Sequence, residues 1–259
     1  MSDKIKKAVE LYNKGEFEKA IDIFSSVLET EKPTAEVYNN VAQCYASVGN
    51  NEKAEDNFLR AIELDPNLPQ AYINLADIYF KTKDYGNGIE LLCQGVYQIP
   101  DNMVLRHFLA RFYMEDSRLD LAIDELEKIL EVQPENYDAY YDLGKVHFEL
   151  GNYASAIENF ENVLEFKENN QWIYFYLAQA YEANDEIDKA ISNYLKTIAR
   201  DDGFYQAYKK VAILFLARGD YEDAIEYFED YMDMGIPEEE KANITQLVER
   251  IKKKFANEK

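Results

Sequence analysis

The sequence predicts an all-α repeat array, and three observations carry that prediction. Alanine or glycine recurs every 34 residues at Ala20, Ala54, Gly88, Ala122, Ala156, Ala190 and Ala224, and a second small-residue series keeps the same step at Ala8, Ala42, Ala76, Ala110, Gly144, Ala178 and Ala212. Apolar residues between these marks follow helical spacing. Turn formers and prolines fall where the spacing stops. A period of this size marks an array in which each unit buries its apolar face only by stacking on its neighbours.

Cutting at the period gives units 1–34, 35–68, 69–102, 103–136, 137–170, 171–204 and 205–238, with 239–259 left over. In the second unit Tyr38, Val41, Ala42 and Tyr45 stand at i, i+3, i+4 and i+7, the stripe of an amphipathic helix. Gly49-Asn50-Asn51 interrupts it. Ala54, Phe58, Ala61 and Ile62 then form a second stripe, and Asp65-Pro66 ends it, because proline disfavours helical geometry in the residue before it. Each unit therefore reads as a helical hairpin. Gly88 and Gly95 are expected to loosen the second helix of unit three, by about 1 kcal/mol each relative to alanine.

The two ends differ from the middle. Unit one carries Lys4 and Lys7 where apolar residues would pack on a preceding repeat, as a polar cap would. After unit seven, Pro237 with Glu238, Glu239 and Glu240 suits a helix start. Ile244, Leu247, Val248, Ile251 and Phe255 give one apolar stripe, read as a capping helix over 239–259, with docking onto another protein as the alternative.

Residue by residue, positions 1–238 resemble the tetratricopeptide repeat family. An aromatic stands at unit position 4 (Tyr38, Tyr72, Tyr140, Tyr174, Tyr208) and at position 11 (Tyr45, Tyr79, Tyr113, Tyr181, Phe215). A large residue fills position 24 (Phe24, Phe58, Leu92, Leu126, Phe160, Tyr194, Phe228), and Pro66, Pro100 and Pro134 close units two to four. Lys4 and Arg106 depart from the position 4 aromatic, and Glu168 and Asp202 from the final proline. The resemblance implies a right-handed superhelical α-solenoid of seven helix-turn-helix repeats whose first helices line a concave groove. It also implies a non-catalytic scaffold or adaptor for protein partners.

Composition narrows the partners. Lys plus Arg is 28 and Asp plus Glu is 50, a net charge of −22. Such a surface repels phosphate backbones and anionic membrane leaflets, so no nucleic acid and no membrane is expected, and steering favours basic partners; solubility alone also accounts for the charge. No apolar run approaches the roughly 20 residues that span a bilayer. Cys44 and Cys93 lie in different repeats and suit a reducing compartment, and the N-terminus runs into repeat pattern without a signal-peptide core, so the expected location is cytoplasmic.

Chemistry is sparse. His107 and His147 are the two histidines, at unlike unit positions, and His147 occupies the position 11 ring site. No nucleophile–base arrangement or phosphate loop appears, so no catalysis, cofactor or metal is expected.

Under the resemblance, unit positions 2, 5, 6, 9, 12 and 13 face the groove. They place there Asn40, Asn74 and Phe80, then His107, Phe108, Arg111 and Met114, then Tyr141, Lys145 and Phe148, then Trp172, Phe175 and Tyr176, and finally Lys210. Aromatics concentrate in units four to six, with the single tryptophan. Trp, Tyr and Arg are enriched at binding hot spots, while packing between adjacent first helices is the other use such rings have. Asn40 and Asn74, both at position 6, suit hydrogen bonds to an extended peptide. The carboxylate clamp of the family's chaperone-tail binders is absent: in its register stand Ile5, Val9, Asn40, Gln70 and Asn74, or Tyr141, Lys145, Tyr176, Gln206 and Lys210. The first expectation is therefore a groove that takes a partner peptide or helix with apolar and basic character. Self-assembly through the end repeats and a regulatory subunit of an enzyme complex are the alternatives.

Overall fold

The computed structural model describes residues 2–30, 32–166 and 170–258, with side chains described as far as 254. Among these residues there are fifteen α-helices and no strand. They run α1 (Asp3–Asn13), α2 (Phe17–Thr30), α3 (Ala35–Ser47), α4 (Asn51–Leu64), α5 (Pro69–Thr82), α6 (Tyr85–Gln98), α7 (Met103–Glu115), α8 (Leu119–Val132), α9 (Tyr137–Glu149), α10 (Tyr153–Phe166), α11 (Gln171–Ala183), α12 (Ile187–Arg200), α13 (Tyr205–Arg218), α14 (Tyr221–Asp233) and α15 (Glu238–Glu258). From α3 to α13 every first helix begins 34 residues after the last. The chain is an α-solenoid of paired helices.

Local chemistry sets these boundaries. Thr34, Asn102, Asn136 and Asn170 cap first helices by accepting a backbone N–H, from Val37 at 3.4 Å, Leu105 at 3.0 Å, Ala139 at 3.0 Å and Trp172 at 2.9 Å. Where the cap is Leu68, Pro69 opens the helix instead. The second helices α4, α6 and α8 end on a non-helical residue before proline, with φ −141° at Asp65 and −128° at Ile99 and Gln133. Asp201 holds the same geometry at φ −146° although Asp202 follows it, and its carboxylate accepts the Gly203 N–H at 3.1 Å just as Asp65 accepts the Asn67 N–H at 2.9 Å. The corresponding position in unit five, Glu168, lies outside the described residues.

Each hairpin turn contains one left-handed residue at unit position 15: Gly15, Gly49, Lys83, Ser117, Gly151, Asp185 and Gly219, with φ between 58° and 93°. Glycine meets that demand without strain, and three repeats meet it with a side chain.

The helices form two compact units, and the division falls between the fourth and fifth hairpins; from here on unit one means residues 1–134 and unit two residues 135–259, no longer the first two 34-residue repeats. In unit one the core runs from Ala8, Ala20 and Phe24 through Phe58, Tyr72 and Leu92 to Leu105 and Phe112. In unit two it runs from Ala156 and Phe160 through Tyr181 and Tyr194 to Phe228, Tyr231 and the α15 residues Ile244, Val248 and Ile251. Both small-residue series are buried throughout, as is every position 24 residue.

The glycines in these series are packing residues. A Cβ on Gly88 would lie 2.0 Å from the Phe112 ring, and one on Gly144 would lie 2.5 Å from Phe160. A Cβ on Gly95 would meet Tyr72 at 3.0 Å. The expectation that Gly88 and Gly95 merely loosen α6 is thus corrected: neighbouring rings occupy the space an alanine would need. Arg106, at the ring position of unit four, is paired with Glu125 with both side chains nearly buried, and it donates to the Pro100 carbonyl at 3.2 Å. An ion pair fills the place of a tyrosine there.

Lys4 and Lys7 are exposed on α1. α15 packs on α14 through Ile244, Val248 and Ile251, and Lys252 pairs with Glu229 at 2.7 Å. Phe255, the last member of the predicted stripe, has a side chain outside the described residues. Among the described residues no helix is long and apolar enough to cross a membrane, and no cluster of side chains suits a metal ion.

Candidate functional site

Because the chain forms two units, the predicted groove is described on the first-helix face of each. In unit one, α3, α5 and α7 follow one another on that face. Gln70 Nε2 donates to Asn74 Oδ1 at 2.8 Å, and Asn74 Nδ2 donates to the buried Asn39 Oδ1 at 3.2 Å. Asn74 is therefore already engaged by its neighbours. It lines a cavity of about 290 Å3 with Tyr12, Gln43, Asp77 and Lys81. Asn40 is half-buried beside a smaller cavity of about 160 Å3 lined by Val9, Tyr12 and Gln43.

His107, Phe108 and Met114 are half-buried on α7, and Arg111 is exposed. The Arg111 guanidinium lies 5.3 Å from the centre of the Phe80 ring. Phe80 in turn meets Tyr85 at 6.0 Å and Phe112 at 5.4 Å. Position 12 thus braces the turn onto the first residue of the second helix. The same pairing recurs in Tyr12–Phe17 at 5.4 Å and Phe148–Tyr153 at 5.5 Å. Phe80 and Phe148, expected to line the groove, take part in this i, i+5 aromatic pairing across the turn, which recurs in the sequence as a repeat of its own.

In unit two the first-helix face of α9 and α11 carries a continuous aromatic cluster. Tyr141 and Tyr176 meet edge to face at 5.7 Å, both rest on the buried Phe160 at 6.2 and 6.0 Å, and Trp172 lies 6.4 Å from Tyr176. Trp172 remains 45% exposed, while its ring edge is held by Phe204 at 4.7 Å. The Lys145 ammonium sits 5.5 Å above the Tyr141 ring. Burial pushes the Tyr141 hydroxyl well above the ordinary tyrosine range, with the Tyr176 hydroxyl adding to the effect, so it stays protonated well into the alkaline range.

Two predicted members stand differently. Phe175, expected in the groove, is 9% exposed and packs against Phe204 at 4.8 Å and Tyr194 at 5.5 Å, so it belongs to the core. Position 5 here meets Tyr194 of the following second helix and Phe204 at the start of the next repeat, and this aromatic contact on both sides buries it. Lys210 is engaged by Glu182 at 3.0 and 3.1 Å, and Glu182 also accepts from Tyr194 at 2.6 Å. Lys209 is bound to Glu240 at 2.6 Å. Both lysines are thus neutralised by carboxylates from neighbouring helices. His147 is half-buried, with its Nδ1 buried and unpaired.

Family models described as tetratricopeptide repeat match residues 35–68, 57–90, 109–170 and 147–212, together well over half of the chain. Among curated proteins, none matches it. Many solved structures are similar. A crystal structure of MamA protein is 26% identical and superposes with a TM-score of 0.60, covering 68% of this chain and 94% of that one. The C-terminal part of a repeat-containing protein from Cytophaga hutchinsonii is 18% identical with a TM-score of 0.77, covering 89% and 95%. YrrB, described as a repeat protein with an unusual peptide-binding site, is 21% identical with a TM-score of 0.60, covering 69% and 92%.

Proposed function

This chain belongs to the tetratricopeptide repeat family, and we propose that it is a non-catalytic scaffold that grips a partner peptide or helix on the first-helix face of unit two. Repeats of this family serve protein interaction, which supports the general role. The particular face is carried by one observation: Trp172 stands half in solvent on an otherwise packed aromatic floor of Tyr141, Phe160 and Tyr176. An exposed tryptophan on a rigid support is an anchor with little ordering entropy left to lose. The formal charge of −22 adds a preference for partners with basic residues flanking their apolar anchors.

Affinity capture from native cells followed by titration of the captured partner tests this. Hot-spot truncations typically cost about 2 kcal/mol or more, so Trp172→Ala is expected to weaken the partner roughly thirtyfold with the helical spectrum intact. Unchanged binding would remove this face from the function. Loss of the helical signal would make Trp172 a core residue instead.

A further inference from the structure

The second-helix face of unit two carries an unusual arrangement of charge. α10 holds Glu158, Glu161 and Glu165 with no cation, and α14 holds six acidic residues with no cation. Between them α12 carries Lys189, Lys196 and Arg200 against the single Asp188. A groove of about 490 Å3 opens between α10 and α12 over α11. Its floor is Leu164, Leu177 and Tyr181, one wall holds Glu161 and Glu165, and the other holds Lys189 and Lys196 with Ser192 between them.

The two walls neutralise each other only in part: Glu161 attracts Lys189 weakly across the groove, and the strongest contact of each lies elsewhere. Glu161 accepts from the Tyr181 hydroxyl below it, and Lys189 pairs with Glu186 of its own helix end. Lys189 also lies 4.9 Å from the Tyr181 ring, and Lys196 lies 5.5 Å from the Tyr174 ring. Among the described residues Glu165 and Lys196 have no ionic partner. Cations held over aromatic faces keep their charge and their position without a carboxylate.

We propose that this groove seats a helical segment of a partner protein whose apolar stripe runs between a basic flank and an acidic flank. From Lys189 to Lys196 the basic wall rises about 10 Å, two helical turns at about 1.5 Å per residue. Two helical ridges over a partly apolar floor accept a helix in the groove. The walls then set its charge pattern: the basic flank lies along Glu161 and Glu165, the acidic flank along Lys189 and Lys196. Opposite charges on the two walls reject segments charged alike on both flanks. This surface is separate from the Trp172 face, and the two stand or fall independently.

Three labelled helical peptides with one leucine stripe test it: one with Lys on one flank and Glu on the other, one with Lys on both, one with Glu on both. Fluorescence anisotropy with the full chain should show the mixed peptide binding at least tenfold tighter than either of the others. Glu165→Lys should move the preference to the Glu-flanked peptide, and Lys196→Glu to the Lys-flanked one. Both residues are exposed, and circular dichroism would verify the fold of each variant. Trp172→Ala should leave the mixed peptide's affinity unchanged. The proposal is overturned by equal binding of all three, by the Lys-flanked peptide binding best to the wild type, by a preference that the wall reversals do not move, or by loss of mixed-peptide binding in Trp172→Ala.

Discussion

Gly88 shows how far a single position can depend on its neighbour. Its missing Cβ is the space in which the Phe112 ring sits, and that ring also meets Phe80 and Tyr85 edge to face. Gly88→Ala would gain helix propensity of about 1 kcal/mol but would force the ring and its aromatic neighbours apart. Overpacking of this kind costs about 1–3 kcal/mol, so the net change in denaturant melts is expected to be destabilising. Adding Phe112→Leu should then recover part of the loss, because the two residues share one volume. An additive double variant would show that the clash is relieved by backbone movement. Position 15 gives a second expectation at this scale. Ser117 holds φ 58° with a side chain attached, a conformation that costs about 1–2 kcal/mol outside glycine. Ser117→Gly should be neutral or stabilising, whereas Gly151→Ala, at φ 78°, should be destabilising.

α15 is held to the last hairpin by apolar burial, by the Lys252–Glu229 pair and by a polar junction at Glu240. Ile244, Val248 and Ile251 cover Phe228 and Tyr231, while Glu240 accepts from Lys209 at 2.6 Å and from the Tyr231 hydroxyl at 2.9 Å. Removing 239–259 is expected to lower the melting temperature and the solubility, since it uncovers that apolar surface. Lys209, and after it Tyr231, hold the Glu240 carboxyl below its ordinary value of 4.5. A depressed carboxylate contributes stability above its unfolded-state value and loses it as pH falls through the folded one. Thermal melts of wild type and Glu240→Gln should therefore differ near pH 6 and converge as pH drops below 4.5. A gap that persists at pH 3 would mean the junction acts through shape and not through charge.

Across the whole chain, the tyrosines set an alkaline limit. Burial, followed by contacts with carboxylates, raises the hydroxyls of Tyr79, Tyr181 and Tyr194, and it pushes Tyr231 up to about 12 from an ordinary 10.0. Raised folded-state values give stability that is complete below pH 10 and is lost as pH rises through the folded values. Exposed tyrosines such as Tyr97 should ionise first with the helices intact, and the last part of the tyrosinate absorbance should appear only together with the loss of helical ellipticity; complete ionisation with the helical signal intact would show these four hydroxyls to be freely solvated. The period of the chain determined the number, order and boundaries of the hairpins, because helix starts, left-handed turns and pre-proline stops depend on residues within a few positions of one another. The small-residue series and position 24 were legible for the same reason. The candidate site was legible only as a face. Whether Phe175 points to solvent or into the core, and whether Lys210 is a free cation or the partner of Glu182, depend on which side chain arrives from the next helix. Such contacts join residues about 20 to 35 positions apart, and only the packed tertiary structure decides them, since the same ring or charge is stable in either place until its neighbour has filled one of them.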